Sequence, residues 1–265
     1  MQFRSSWHSY ERLAQSGEYG IVLESDGSVH ERASRLAALF IDTVGGRKTV
    51  VDLGCGTGFP GLLVAPHVGR LLAVDASPSM LAQAKASARQ LGLSNWHPIH
   101  SLADELPLPD RYADAVIMSG FLGSIEHSEG VLAESRRIAR PGAVIATLDQ
   151  DFEARLADGL TGTNWALRMD GKSLIFSRTT THTNPDRFES NTRKLRPGTL
   201  TDCPADREAA WNGLRAEEIE DEWIEVERQW RPDTLRALFC KHGFLLRRQE
   251  TLRTGNIPLI FSVFE

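Results

Sequence analysis

Residues 50–61 read VVDLGCGTGFPG, and two overlapping glycine patterns run through them. Gly56, Gly58 and Gly61 complete G-x-G-x-x-G, the turn that lays backbone N–H groups against the pyrophosphate of a dinucleotide. Asp52, Gly54, Gly56 and Gly58 complete D-x-G-x-G-x-G, in which a carboxylate leads the glycines. In both patterns a glycine-rich turn between a buried strand and a helix lets a ligand approach backbone that side chains would otherwise shield. The sign of charge separates them. A carboxylate at the strand end repels a pyrophosphate and attracts a cationic ligand. Asp52 therefore favours a nucleotide cofactor that carries positive charge, and Gly61 is left with the task of helping the helix pack.

Outward from this turn, the chain alternates strand and helix. TVVDL and RLLAVD are continuous apolar runs rich in β-branched residues, the mark of buried parallel strands. FPGLLVAPHV is expected to start a helix with Pro60 in its first turn. SPSMLAQAKASARQLG reads as a helix with Ser77 as N-cap, Pro78 at its first position and Gly92 past its end. WHPIHS and ADAVIMS read as strands, VLAESRRIA as a helix closed by Pro141-Gly142, and AVIATLD as a strand. Upstream, a short helix is expected around Trp7 to Ala14 and a longer one from Val29 to Thr43. Such alternation builds an α/β, doubly wound, mostly parallel sheet with ligands beyond the carboxyl ends of its strands.

The texture changes near Gln150. KSLIFSRTTTHT and RFESNTRKLR alternate like an antiparallel pair, ADREAAWNGLRAEEIEDE reads as a charged helix, and WIEVERQW as a further strand. Residues 151–231 are thus expected to form an inserted α+β cap. The core is expected to span 45–150 and 232–265, with residues 1–44 as N-terminal helices covering the cofactor site. The helix PDTLRALFCKHGF and the strands FLLRRQE and IPLIFSVFE complete the core.

A chain of 265 residues, 41% apolar and 25% charged, has the balance of a soluble globular protein. Its net charge of −5 offers nucleic acid no general attraction, so none is expected as a partner. The first residues lack the layout of a signal peptide and no apolar run approaches a membrane span. Cys55, Cys203 and Cys240 are too few and scattered for a disulfide framework or a metal site, which points to a cytoplasmic setting.

VVDLGCGTG, LLAVDASPSML, ADELPLPDRYADAV and RIARPGAVI, in this order and spacing, resemble the class I (Rossmann-like) S-adenosylmethionine-dependent methyltransferases, in the branch acting on small molecules. The resemblance covers 45–148 well and 232–265 loosely, and leaves the insertion uncovered. It implies a seven-stranded sheet whose last strand runs antiparallel to the rest. It also implies a cofactor, S-adenosyl-L-methionine, that leaves as S-adenosyl-L-homocysteine. Asp52 would hold the methionine amine, directly or through water, with Gly54, Cys55, Gly56 and Gly58 forming its bed. Asp75 would bind the ribose diol, Ala76 and Met80 would pack near the adenine, and Ala103 and Asp104 would meet it. Ser119 and Gly120 would line the cofactor after the fourth strand. The family often has an acidic residue where Leu102 stands, so adenine recognition would fall to Asp104 or to backbone. The paired histidines of many relatives are replaced here by SGFLGSIEH, and the motif of amino-methylating nucleic-acid enzymes is absent.

The activity implied is methyl transfer to an oxygen or nitrogen of a small-molecule metabolite, by a monomer or homodimer. Alignment and water exclusion supply most of the acceleration, and a general base is needed only for an acceptor that arrives protonated. His127 is the best-placed candidate base, against a solvated loop histidine; His8 and His182 follow. Trp7 and Tyr10, three apart on one helix face, and Trp165 and His182 in the insertion are candidate acceptor contacts, against plain packing. Two alternatives stand beside this reading: a relative that binds the cofactor without methylating, and an NAD(P)-dependent oxidoreductase.

Overall fold

A computed structural model describes residues 2–3, 11, 14, 22–23, 28–125, 127–157, 163–170, 173–180, 188–200, 204–227, 230–254 and 257–265. The chain begins with a short strand β1 (Gln2–Phe3) and, further on, helix α1 (Glu31–Val44). Strand β2 (Thr49–Leu53) is followed by α2 (Gly61–Val64), β3 (Arg70–Asp75), α3 (Pro78–Gln90), β4 (Trp96–His100), β5 (Ala113–Ser119), α4 (Ser128–Ile138) and β6 (Ala139–Gln150). Next come α5 (Phe152–Ala157), β7 (Thr163–Asp170), β8 (Ser173–Thr180), β9 (Phe188–Leu195), α6 (Arg207–Gly213) and β10 (Ile219–Glu227). Helix α7 (Pro232–Lys241) and strands β11 (Leu246–Thr254) and β12 (Ile257–Phe264) end the chain.

Seven strands form one sheet in the order β11-β12-β6-β5-β2-β3-β4. The β6-β5, β5-β2, β2-β3 and β3-β4 pairs are parallel, while β12 runs antiparallel to both neighbours. Strands covered on both faces are predominantly apolar, and β2 is buried along its whole length. One face packs Leu36, Phe40 and Val44 of α1 with Leu81, Ala84 and Ala88 of α3. The other packs Val131, Leu132 and Ile138 of α4 with Leu235 and Phe239 of α7. Pro98 lies in β4 at the sheet edge, where a missing N–H breaks no ladder. The chain order reverses between β2 and β5, which opens the ligand crevice at their carboxyl ends.

A second sheet, ordered β1-β10-β9-β8-β7, lies within the insertion, with the exception of β1 at its edge. Phe176, Leu195 and Trp211 form its small core, with Phe176 edge-on to Trp211 at 5.2 Å. The Arg193 guanidinium stacks 4.1 Å from the same indole, while its Nε donates to Glu222 at 2.7 Å.

Local expectations are corrected in three places. The charged helix expected from Ala205 onward stops at Gly213, and Ile219–Glu227 is strand, because pairing with β9 overrides a locally helical composition. Strand β7, which the sequence did not announce, pairs with β8. The helix after the glycine turn is four residues long and passes into a 3-10 turn at Ala65–His67, where Pro66 has no N–H to give.

Candidate active site

Asp52 is the fourth residue of β2 and is fully buried. Its Oδ2 accepts the Gly61 N–H at 3.1 Å, and its Oδ1 is buried with no partner among the described residues. Burial pushes its carboxyl well above the usual range, against the Gly61 N–H, which pulls it down, and with a smaller push from Asp75. Gly61 therefore does more than help the helix pack. A Cβ there would stand 2.4 Å from Asp52 Oδ2, so only glycine lets the carboxylate sit against the start of α2. Gly54, Gly56 and Gly58 all have positive φ, at 66°, 52° and 114°. They shape a turn that L side chains rarely adopt. Cys55 between them is buried, its N–H donating to the Val74 carbonyl at 3.0 Å.

Asp75 ends β3 across the turn. Its Oδ2 accepts the Gly56 N–H and its Oδ1 the Ser77 N–H, both at 2.8 Å, which locks the two strand ends together. Each oxygen keeps a second lone pair for a ligand hydroxyl. Burial raises its carboxyl, the Ser77 and Gly56 N–H groups lower it, and Glu11 raises it further. Ser77 caps α3 by accepting the Met80 N–H at 3.0 Å. Ala76 is half-buried, and the Met80 side chain is fully buried.

Glu11 went unnoticed in the sequence. Its carboxylate accepts from the Ser77 hydroxyl, from the Ser79 N–H at 3.1 Å and from the Ser79 hydroxyl at 2.5 Å. An anion here is favoured by the N-terminal end of the α3 dipole. Gln83 Nε2 donates to the Ala14 carbonyl at 2.5 Å, so residues 11 and 14 both dock on α3 beside Asp75. Gln2–Phe3, in contrast, pair with β10 of the second sheet.

Ala103 and Asp104 lie half-buried in the loop after β4, next to an exposed Leu102. A Cβ on Gly130 of α4 would meet the Asp104 Cβ at 3.2 Å. Two residues of α4 hold the rest of this loop. Glu134 accepts the Leu106 N–H at 3.0 Å, and Arg137 donates to the Leu106 and Leu108 carbonyls at 3.1 and 2.7 Å.

Ser119 ends β5, and Gly120, exposed at φ 61°, donates to the Leu148 carbonyl at 2.7 Å. The Phe121 ring then lies against Gly54, 2.1 Å from where a Cβ would be. A 3-10 turn follows at Leu122–Ser124, and β10 of the second sheet passes beside it. His127 is exposed at the head of α4 and makes no side-chain cap. Trp7, His8, Tyr10, His182 and Cys203 lie outside the described residues, as do the side chains of Trp165 and Trp223. Trp211 and Trp230 are buried in the core of the second sheet and of the main sheet. Among the described residues no cluster of three metal-ligating side chains occurs, and no helix is long and apolar enough to cross a membrane.

Asp149, the penultimate residue of β6, is a further buried carboxylate. Burial pushes it up to about 7, against the Thr147 hydroxyl and Leu122 N–H, which pull it down. An acidic residue closing a buried strand, in AVIATLDQD, was the signal for it.

Residues 50–142 match a family model described as a methyltransferase domain. A demethylmenaquinone methyltransferase of Tropheryma whipplei is 28% identical over 134 residues, 50% of this chain and 54% of that protein. The chain thus spans about half the length of the curated relatives it matches. A S-adenosylmethionine-dependent methyltransferase from Clostridium acetobutylicum superposes with a TM-score of 0.62 at 13% identity, covering 97% of this chain and 96% of that one. A structure described as a DhpI-SAM-HEP complex covers both chains completely, with a TM-score of 0.61 at 17% identity.

Proposed function

We infer, from the match of residues 50–142 to a methyltransferase domain and from the likeness in fold to S-adenosylmethionine-dependent methyltransferases, that the chain is a methyltransferase of this kind. From that premise we propose that the protein moves a methyl group from S-adenosylmethionine to an oxygen or nitrogen of a small-molecule metabolite. The observation that carries this is the Asp52 carboxylate, buried, hydrogen-bonded among the described residues through one oxygen, and set under a turn of left-handed glycines. An unpartnered buried carboxylate oxygen suits an ammonium or a water held by one, and opposes a pyrophosphate.

The residues present fit the cofactor. Asp52 takes the amine, and Gly54, Cys55, Gly56 and Gly58 form the bed. Asp75 takes the ribose hydroxyls on its remaining lone pairs. Ala76, Met80, Ala103 and Asp104 bound the adenine, and Ser119 and Gly120 the side toward the acceptor. When bound, the cofactor supplies an electrophilic methyl carbon on a sulfonium. The chain's own work is to orient the acceptor and keep water out, and proximity of that kind is worth roughly 7–11 kcal/mol at best. Residues 151–231 close the acceptor side, with β10 beside the 122–124 turn. Trp7, Tyr10, Trp165 and His182 belong to this proposal as acceptor contacts, and His127 as an exposed candidate base. A small-molecule acceptor is also supported by the relatives' name, and label appearing on a ring carbon of reduced demethylmenaquinone would move the assignment from oxygen or nitrogen to carbon.

Thermal-shift measurements with S-adenosylhomocysteine and with NADH test the cofactor. Stabilisation by the first is expected; stabilisation by NADH alone overturns the proposal. Methyl-labelled cofactor with reduced demethylmenaquinone, or with a metabolite extract, tests transfer. Label that reaches no small molecule in either points to a relative that binds without methylating.

A further inference from the structure

Ser77 sits in the turn between β3 and α3, and each of its polar groups is committed. Its N–H donates to Asp75 Oδ1 at 2.8 Å, its carbonyl accepts the Leu81 N–H at 3.1 Å, and its Oγ accepts the Met80 N–H at 3.0 Å. The hydroxyl still has a proton to place. Ser77 is fully buried, so that proton needs an acceptor within the protein. The acceptor comes from far upstream in the chain. Glu11 Oε2 takes the Ser77 hydroxyl and the Ser79 N–H, while Oε1 takes the Ser79 hydroxyl. His100, at the end of β4, gives the same turn a second hold, its Nε2 lying 3.1 Å from the Ala76 carbonyl. Glu11 does not stabilise Asp75 by charge, since two carboxylates repel and Glu11 pushes the Asp75 carboxyl up. What links the two is Ser77.

We propose that Glu11 is a positioning residue of the cofactor site: through the Ser77 hydroxyl it fixes the turn that aims the Asp75 carboxylate at the ribose diol. This rests on the cofactor reading above, in which Asp75 takes the ribose hydroxyls. Asp75 offers them only the lone pairs left over by the Gly56 and Ser77 N–H groups, so a rotation of Ser77 redirects what remains. The N-terminal end of α3 offsets part of the repulsion between the two carboxylates, and a cationic cofactor offsets more. The contact needs reach and an acceptor oxygen rather than charge. Glu11→Gln keeps both: its carbonyl oxygen accepts the Ser77 hydroxyl and the Ser79 N–H, and its amide donates to a Ser79 hydroxyl turned round to accept. Glu11→Ala keeps neither and leaves the Ser77 proton without this acceptor.

The test is a cycle of two proteins and two ligands, read by calorimetry on the full chain. The parent and Glu11→Ala are each titrated with S-adenosylhomocysteine and with its dideoxyribose analogue, which lacks both ribose hydroxyls. In the parent the analogue is expected to bind roughly tenfold or more weakly. Glu11→Ala should weaken S-adenosylhomocysteine about fivefold and leave the analogue within about twofold of the parent, since only the first uses the aim of Asp75. Glu11→Gln should bind both as the parent does. If Glu11→Ala does not fold, Glu11→Asp, one methylene short of Ser77, takes its place. An equal loss for both ligands overturns the proposal and leaves the cofactor reading standing, because a merely structural anchor does not tell the ligands apart. A loss in Glu11→Gln as large as in Glu11→Ala overturns it too, since charge would then act in place of the hydrogen bonds. A parent that binds both ligands alike removes Asp75 from the ribose, and a parent that binds neither removes the cofactor; either result takes the proposal with it.

Discussion

An added Cβ at Gly61 would stand 2.4 Å from Asp52 Oδ2 and 3.1 Å from the Leu71 side chain, both inside the core. Gly61→Ala is expected to cost about 1–3 kcal/mol as overpacking and to weaken S-adenosylhomocysteine binding. Denaturant unfolding and calorimetry check both, and an unaltered affinity would separate Asp52 from the ligand. Asp75→Ala removes the acceptor of two backbone N–H groups as well as the ribose contact. Affinity should fall by about 1.5–3 kcal/mol, and an unchanged dissociation constant would mean that β3 does not end at the ribose. Burial also makes Asp149 a stability determinant. A carboxyl raised from about 3.9 in the unfolded chain to about 7 in the folded one holds its proton more tightly when folded. The stability it contributes is complete below the unfolded value and is lost as pH rises through 7. Asp149→Asn has no charge to bury, so its melting temperature relative to the parent should rise between about pH 5 and pH 8. A difference that does not change with pH would place the proton elsewhere. Asp52 is pushed in the same direction and adds to the parent's loss of stability at high pH.

The loop after β4 shows what an element needs from its neighbours. Its sequence, LADELPLPD, has two prolines and no periodicity, so nothing local fixes its path. Glu134 and Arg137, one turn apart on α4, supply the order by bonding its backbone at Leu106 and Leu108. Arg137→Ala is expected to cost about 1 kcal/mol, since the pair is partly solvated, and to speed hydrogen exchange at residues 105–110. Exchange that stays slow there would show the loop to be held by other contacts. Helix α3 was legible from its own residues, because Ser77, Pro78 and Gly92 cap it chemically. The stretch from Ala205 to Glu222 was not, because its strand half exists through pairing with β9.

For the whole molecule, the two sheets differ in what holds them. The seven-stranded sheet carries a buried core on each face, whereas the second relies on a cluster around Phe176, Leu195 and Trp211. Trp211→Ala should cost the second sheet about 3–5 kcal/mol and raise exchange in β8 and β9. Exchange in β2 and β5 should stay as it was, and so should S-adenosylhomocysteine affinity. Joint loosening of both sheets would show one cooperative unit instead. By itself the sequence determined the alternation of buried strands and capped helices, the D-x-G-x-G-x-G turn and the acidic residue closing β3. These are patterns of neighbours a few residues apart, and the chemistry of a cap, an apolar run or a left-handed glycine is local. Only the tertiary structure decided that one Asp52 oxygen has no partner among the described residues, that Glu11 docks on α3, and that Asp149 is buried. Burial and the absence of a partner are properties of what surrounds a group, summed over residues distant in the chain, and folding alone brings those together.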